Sequence, residues 1–391
     1  MQTIILAAGE GQRVKPLTLT MSKAMIPIAN KPTIEWIIKA VEKFSDEIII
    51  VARKEQRDLI DYFSAYKNVK FVFQPKPLGT AHAIQQCEKH VEGDFFVFNG
   101  DVLTTRAEIQ GLMKKKPKAP LICGYKVSNP KEYGVLTMEG NYVTELTEKP
   151  SKPKSNMINA GIYIFNEKIF DAIEKTKISP RGEYEITDSI KILMANEKMR
   201  YHELKKWTHV GLLWHLLEAN QMVLEEYGTM IGKNVKIKPG AYIEKPVAIG
   251  DNSVIGPNCY VRNFSSIGKN CKVGNAVEVK NCIIMDNSFV SHLSYVGDSV
   301  IGRNCNIAAG TIFGNLRLDE KPIGMKVNGQ MMNSGKRKLG SIVGDNVKFG
   351  VNCTIMPGKK IWPNIHIPPC TIIKNDIEKQ PDLGAWKRIL T

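Results

Sequence analysis

Two stretches carry residue types that can do chemistry. Leu6-Ala7-Ala8-Gly9-Glu10-Gly11-Gln12-Arg13 follows an apolar run and combines two glycines with a guanidinium. Glycine lets backbone N–H groups approach phosphate oxygens closely, and arginine neutralises them. A tight turn from strand to helix has the same look. Much later, Phe289-Val290-Ser291-His292-Leu293-Ser294-Tyr295-Val296-Gly297-Asp298 places His292 where a repeat loses its step. Taken alone, a histidine on such a turn reads first as an exposed polar residue.

The elements around the glycine stretch alternate. Thr3–Ala7, Glu47–Ala52, Val69–Gln74 and Asp94–Asn99 read as strands. Thr33–Phe44 and Thr80 to about Lys89 read as helices. Such alternation predicts a parallel sheet with helices on both faces, which binds ligands at the carboxyl ends of its strands.

The second half counts in sixes. Ile231, Ile237, Ile243, Ile249, Ile255, Val261, Ile267, Val273 and Val279 recur without a miss. The count resumes at Ile284, Val290, Val296, at Ile301, Ile307, Phe313, and at Val343, Phe349, Ile355, Ile361, Ile367, Ile373. A fixed short period predicts a β-solenoid. Cys259, Cys271, Cys305 and Cys353 share one repeat position. They read as small buried apolar side chains rather than metal ligands, and no cysteine pair has zinc spacing. Leu212, Leu213, Leu216, Leu217, Ala219, Asn220 and Val223 predict a connecting helix within Trp207–Gly228. The expected division is 1–208, a connector over 209–228, a solenoid over 229–376 and a tail over 377–391.

The 391 residues carry a formal charge of +15. Without a run mixing basic and aromatic residues, that charge argues for a lysine-rich surface and anionic small substrates rather than nucleic acid. No apolar run reaches the length of a membrane span, and the first residues lack a basic leader. A cytoplasmic protein is expected.

The front motifs come in a set order. After the glycine stretch stand Pro16-Leu17-Thr18, Lys23, Gln74, Pro77-Leu78-Gly79-Thr80-Ala81, Gly100-Asp101, Tyr133-Gly134-Val135, Glu148-Lys149-Pro150 and Asn159-Ala160-Gly161. Together they resemble the sugar-1-phosphate nucleotidylyltransferases, from residue 1 to about 220. The resemblance implies a Rossmann-like α/β domain in which Leu6, Ala7, Ala8, Gly9, Gly11 and Arg13 hold the nucleotide. It places Lys23 and Lys149 on phosphates, Gln74 with Gly79 and Thr80 on the base, and Gly134, Glu148 and Asn159 on the sugar. Asp101 would ligate Mg²⁺. Two departures stand out. Met21-Ser22 replace the usual Arg-Pro before the lysine, so one cation is missing. His209, in Trp207-Thr208-His209, stands where the family has a second oxygen ligand. Imidazole suits Mn²⁺ or Co²⁺ better than Mg²⁺, so reduced or metal-altered activity is expected.

The back half resembles the left-handed parallel β-helix built of hexapeptide repeats. Val277-Glu278-Val279-Lys280, the stretch from Ser291 to Asp298, Asn304 to Thr311, and Asn315 resemble the acetyltransferase half of the bifunctional N-acetylglucosamine-1-phosphate uridylyltransferases/glucosamine-1-phosphate acetyltransferases, of the archaeal type. This implies His292 as general base, a role that an imidazole with an ordinary pKa near 6.5 fills well. It implies Arg262, Lys280 and Tyr295 on the sugar phosphate, Asn306 on the sugar, Asn315 on the thioester or the oxyanion, and Ala309 with the later coils on acetyl-CoA. Residues 316–339 leave the rhythm and carry Lys321, Lys326, Lys336, Arg337 and Lys338. They are expected to grip CoA phosphates, reach a neighbouring subunit, or lie exposed. The whole chain thus reads as a homotrimer using acetyl-CoA and UTP or dTTP to make UDP-N-acetylglucosamine. The rival readings are an acetyltransferase with a weakened front half and a non-catalytic trimer.

Overall fold

The computed structural model describes residues 1–381. The chain forms two compact units, Met1–Glu10 with Thr33–His209, and Gly11–Pro32 with Val210 onward.

The first unit is built on a nine-stranded sheet. Thr3–Leu6 lies between Ile48–Ala52 and Phe95–Asn99, parallel to both, and Val69–Phe73 extends the row beyond Ile48–Ala52. These strands are rich in isoleucine, valine and phenylalanine, and most are buried throughout, as parallel strands under helices must be. Leu6 lies opposite Val51 and Asn99, and Ala52 opposite Phe73. The chain leaves all four strands at one edge, so Ala7, Gln74 and Asp101 follow strand ends on the same side.

Beyond this row the sheet is mixed: Arg200–Glu203 is parallel to Leu121–Lys126, but other pairs are not. Met157–Phe165 runs antiparallel to both Phe95–Asn99 and Leu121–Lys126. A parallel partner needs a long crossover, usually a helix, and the chain from 134 to 165 supplies none. It makes the hairpin Gly134–Glu139 and Tyr142–Glu148 and then turns straight into Met157–Phe165. Within the stretch expected to hold the connecting helix, the helix runs from His215 to Tyr227, and Trp207–His209 before it is a strand paired antiparallel with Val102–Thr104.

The second unit is a left-handed parallel β-helix with three faces of seven short strands. Met230 pairs with Ala248 and Ala248 with Ser266, coils of 18 residues. Ser266 pairs with Ile283 and Ile283 with Val300, coils of 17. The hexad aliphatics from Ile249 to Ile373 fill the interior, and Cys259, Cys271, Cys282, Cys305 and Cys353 are buried among them. Burial pushes the thiols of Cys271, Cys282 and Cys305 up to about 12, so they stay neutral and apolar. One corner is turned by Asn252, Asn270, Asn287, Asn304, Asn346 and Asn364, all left-handed, a conformation asparagine tolerates. Their amides form a ladder of hydrogen bonds, such as Asn346 to Asn364 at 2.9 Å.

The first face is the covered one. Its outward residues Ala248, Ser266, Ile283, Val300 and Ile342 are as buried as the interior. Asn220, on helix His215–Tyr227, donates to the Phe264 carbonyl at 2.8 Å and accepts from Ser266 Oγ at 2.7 Å and from the Ala29 amide at 2.8 Å. Asn30 donates to the Ile267 carbonyl at 2.7 Å. The helix and the segment Gly11–Pro32 are therefore anchored to the solenoid by polar side chains with no unmet partner.

Candidate functional site

In the first unit three groupings form. Around the first strand, Ala7 N donates to Val51 O at 2.8 Å and Gly100 N to Leu6 O at 2.9 Å. A Cβ on Gly100 would stand 2.5 Å from that carbonyl, so only glycine permits the turn that presents Asp101. Asp101 Oδ2 lies 3.4 Å from His209 Nε2. The strand pairing of 102–104 with 207–209 brings them together, and Trp207 and Tyr133 flank the imidazole. One carboxylate and one imidazole suit a divalent ion that tolerates nitrogen and takes its other ligands from substrate phosphates and water. Among the described residues, no three His, Cys, Asp or Glu gather as a metal site.

The second grouping is Gln74 with Gly79 and Thr80. Gln74 is buried and its amide donates to Gly79 O at 3.1 Å. Thr80 Oγ1 accepts from Ile186 N at 3.1 Å. Gly79 has φ +107°, and a Cβ there would lie 2.5 Å from Tyr184 O.

The third is Gly134, Glu148 and Asn159. Gly134 sits opposite Glu148 in the hairpin, and a Cβ on it would come 3.2 Å from Glu148 Oε2. Asn159 donates to Tyr163 Oη at 2.8 Å and accepts from Gly161 N at 2.9 Å. Lys149 is exposed and held at φ +42°. Arg181, not expected from the sequence, reaches Glu148 at 3.3 Å and is hydrogen-bonded to Glu185. The i,i+4 spacing of Arg181 and Glu185 was its only sequence signal. Burial holds the Glu148 carboxyl above its ordinary pKa, against the pull of Arg181. A carboxyl raised in the fold favours the folded state below its unfolded pKa, about 4.3, and that advantage is lost as pH rises. Glu148→Gln is thus expected to melt no lower than wild type at pH 8, with the gap in its favour closing towards pH 4. Nucleotidylyl transfer, the activity that the resemblance implies, should fall at least tenfold in the variant. A variant melting well below wild type at pH 8 would contradict this.

Arg13 and Lys23 belong to the second unit, in the segment Gly11–Pro32. Gln12–Val14 and Lys23–Met25 form single 3-10 turns, and Gly11 has φ +68° with its carbonyl bound by Thr18 Oγ1 at 2.8 Å. Met21 is buried, so the position that has lost its expected cation now packs as core.

In the solenoid, both five-residue steps fall at the turn from the third face to the first. The insertion after Phe313 leaves from the same corner one coil later. Three irregular turns therefore stack. Asp298, 5% exposed, is their centre. Its carboxylate accepts from Asn315 Nδ2 at 2.5 Å and Asn281 Nδ2 at 2.8 Å, with Lys280 Nζ at 3.4 Å. Asn315 Nδ2 also donates to Tyr295 Oη at 3.0 Å. Both amide hydrogens of Asn315 are thereby used, which leaves its oxygen as acceptor and leaves Tyr295 its own hydroxyl hydrogen to give. Burial raises the Tyr295 pKa, so the phenol stays protonated. A Cβ on Gly297 would lie 2.5 Å from both Tyr295 Oη and Asn315 Nδ2. Lys338 sits near enough to Lys280 for that like charge to lower its pKa. Two ammoniums pressed together around one carboxylate make a site for an anion.

Asp298 stands in the same stretch as His292 with nothing in the sequence to mark its role; only stacking reveals it. Asp298→Asn should turn one acceptor into a donor facing Asn281, Asn315 or Lys280. If the corner holds the amino-sugar phosphate that the resemblance implies, the expected results are a rise of tenfold or more in its KM and a loss of about 1–3 kcal/mol in solenoid stability, with the implied nucleotidylyl transfer unchanged. Wild-type kinetics in the variant would remove Asp298 from the site.

Elsewhere on the third face, Arg262 reaches Glu244 at 3.7 Å and Glu278 at 3.5 Å and lies over the Tyr260 ring. His292 is exposed and ends the strand Phe289–His292, opposite Asn275 in register. Asn306 is exposed one coil on, with Ala309 half-buried after it. The insertion is not a free basic loop. It folds into the hairpin Gly324–Val327 and Gln330–Asn333, closed at its base by a bridge between Leu316 and Lys338. Lys336 pairs with Glu218 of the helix His215–Tyr227, and Arg337 pairs with Glu320 at 2.7 Å.

Residues 2–226 match the nucleotidyl transferase family, and residues 244–368 match the GMPPB C-terminal domain. The bifunctional protein GlmU of Methanocaldococcus jannaschii is 44% identical over 97% of this chain and 96% of its own length. That of Methanococcus aeolicus is 42% identical with the same coverage. A bifunctional sugar-1-phosphate nucleotidylyltransferase/acetyltransferase of Sulfurisphaera tokodaii is 38% identical over 96% of this chain and 98% of its own. A crystal structure of a glucose-1-phosphate thymidylyltransferase from Bacillus anthracis superposes with TM-score 0.52 at 28% identity, covering 56% of this chain and 94% of that one.

Proposed function

Because the chain belongs to the nucleotidyl transferase family and, over nearly its whole length, to the bifunctional sugar-1-phosphate nucleotidylyltransferase/acetyltransferases, we propose a division of labour between its two units. The protein is a two-activity transferase of UDP-N-acetylglucosamine biosynthesis. The solenoid acetylates glucosamine-1-phosphate, and the α/β unit then joins the product to UTP.

The stacked corner of Lys280, Tyr295, Asn315 and Lys338 around Asp298 carries the acetyl-transfer assignment. Lys280 and Lys338 hold the sugar phosphate, with Arg262 from the same face. This moves Lys338 from acetyl-CoA to the sugar phosphate. Tyr295 donates its hydroxyl hydrogen to a phosphate oxygen. His292 takes the proton from the sugar nitrogen as it attacks the thioester carbonyl, and returns it to the departing CoA sulfur. Asn306 orients the sugar. Asn315, its hydrogens committed, acts as an acceptor rather than an oxyanion donor, and Ala309 lines the CoA arm.

In the α/β unit, a phosphate oxygen of the sugar-1-phosphate attacks the α-phosphorus and pyrophosphate leaves. Positioning and charge neutralisation do the work. The backbone from Leu6 to Gly9 receives the nucleotide and Lys149 neutralises phosphate; the phosphate roles of Gly11, Arg13 and Lys23 rest on the sequence resemblance alone. Gln74, Gly79 and Thr80 read the base, and Gly134, Glu148 and Asn159 hold the sugar. Asp101 and His209 would hold a divalent ion, whose contribution is to neutralise charge on the transferring phosphates. Their donor set favours Mn²⁺ or Co²⁺ over Mg²⁺. A cytoplasmic homotrimer completes the reading; among the described residues no helix is long and apolar enough to cross a membrane.

The test is two assays on one preparation. CoA release from acetyl-CoA with glucosamine-1-phosphate reads the solenoid. Pyrophosphate release from UTP with N-acetylglucosamine-1-phosphate, under Mg²⁺ and then Mn²⁺, reads the front. Absence of both would overturn the reading.

A further inference from the structure

We infer that His82 decides which nucleobase the front site accepts, by holding the Gln74 amide so that only its oxygen remains for the base. The inference rests on the nucleotidylyl reading above and adds to it a residue that never touches the substrate.

Gln74 is 4% exposed. Its Nε2 donates to Gly79 O at 3.1 Å and meets His82 Nδ1 at 2.9 Å. A carbonyl accepts and never donates, so the Gly79 bond determines which end of the amide is nitrogen. With that nitrogen facing it, His82 Nδ1 must accept, and the ring proton sits on Nε2. Burial lowers the imidazole's pKa, which favours this neutral form. The ring packs near-parallel to Tyr184, with centroids 6.4 Å apart. The cage is rigid. Tyr184 N donates to Leu78 O at 2.8 Å, and Tyr184 O accepts from Ala81 N at 3.0 Å. Gly79 presses so closely on Tyr184 that no side chain fits.

Both hydrogens of the Gln74 amide are thus spent on the protein. Its one remaining capacity is Oε1, an acceptor. Uracil and thymine present an N3–H donor, and Oε1 answers it. Cytosine presents an unprotonated N3, so acceptor faces acceptor in a dry site. A site built to make a hydrogen bond rejects the analogue lacking it strongly, because its own group is left unpaired. If His82 offered no acceptor, Nε2 would hold only the Gly79 bond. The second amide hydrogen, no longer spent on the protein, could then turn toward the base, which suits cytosine. His82 is a positioning residue for specificity, acting through Gln74.

The experiment compares kcat/KM for UTP and CTP, with N-acetylglucosamine-1-phosphate, in the full-length wild type, His82→Leu and His82→Asn. Leucine removes the acceptor. Asparagine Oδ1 occupies nearly the place of Nδ1 and restores it. The UTP:CTP ratio should fall at least tenfold in His82→Leu, through KM for UTP rather than kcat, and stay near wild type in His82→Asn. A merely structural role would lower both nucleotides together and leave the ratio alone. Circular dichroism and the melting of the same samples report folding of the α/β unit. Should His82→Leu not fold, His82→Ala, which removes the acceptor without adding a branched side chain, should lose the ratio instead. A ratio unchanged in the folded variant would overturn the inference alone. A wild type giving no pyrophosphate from any nucleoside triphosphate would overturn the nucleotidylyl reading and this inference with it.

Discussion

His292→Ala is expected to cut acetyl transfer by about 10²–10⁴-fold, the range for loss of a general base, while pyrophosphate release from UTP stays at the wild-type rate. The histidine stands on a backbone that the substitution should not disturb. Strand Phe289–His292 is paired with Lys272–Asn275 below it. Ser294 Oγ ties the turn by donating to the His292 carbonyl at 2.7 Å. The side chain itself is exposed, so its removal opens no cavity in the solenoid core. The loss should therefore appear in kcat, with unchanged oligomer mass by light scattering and unchanged melting. Three residues on, Tyr295 belongs to the corner proposed to hold the phosphate, so the proposed base and the proposed anion site share one coil. If His292→Ala kept more than half of its acetyl transfer, the sugar amine would be losing its proton elsewhere, and His292 would revert to a surface residue.

The second large effect concerns Asp101. Asp101→Asn should lower nucleotidylyl transfer by about 10²–10³-fold, the scale for losing one electrostatic contact to the transferring group, with Mg²⁺ or Mn²⁺ alike. Acetyl transfer should be untouched. The same split should follow chelation by EDTA, because the amide-forming reaction needs no metal. His209→Asp asks a finer question. It replaces the imidazole 3.4 Å from Asp101 with a second oxygen donor. A hard ion prefers oxygen, so the ratio of Mg²⁺- to Mn²⁺-supported rates should rise about tenfold. Full Mg²⁺ turnover in the wild type, unaltered in His209→Asp, would show that His209 is no ligand.

Much of the front site was legible because its residues follow strand ends. Leu6, Gln74 and Asp101 each stand at or just after an apolar run, and parallel pairing puts those ends on one edge. Arg181 was not legible. It meets Glu148 from 33 residues away, and nothing in the local pattern marks that approach. The antiparallel direction of Met157–Phe165 was not legible because a largely apolar run looks the same in either direction. Trp207–His209 was absorbed into the connector because its pairing partner lies at 102–104.

The sequence by itself determined the solenoid. A period of six is a local property, and every aliphatic at that period must face inward if successive strands are to stack. It also determined that something happens at 279–301, since a lost residue in such a count is visible without any coordinates. Only the tertiary structure decided what. Stacking turns the two short steps and the insertion into one corner, and there it sets Lys280, Asp298, Asn315 and Lys338 side by side although 58 residues separate the first from the last. Hydrogen-bond capacity was likewise decided there. A sequence names Gln74 and Asn315 as amides, but which atoms remain for a substrate depends on which hydrogens the folded protein has already used.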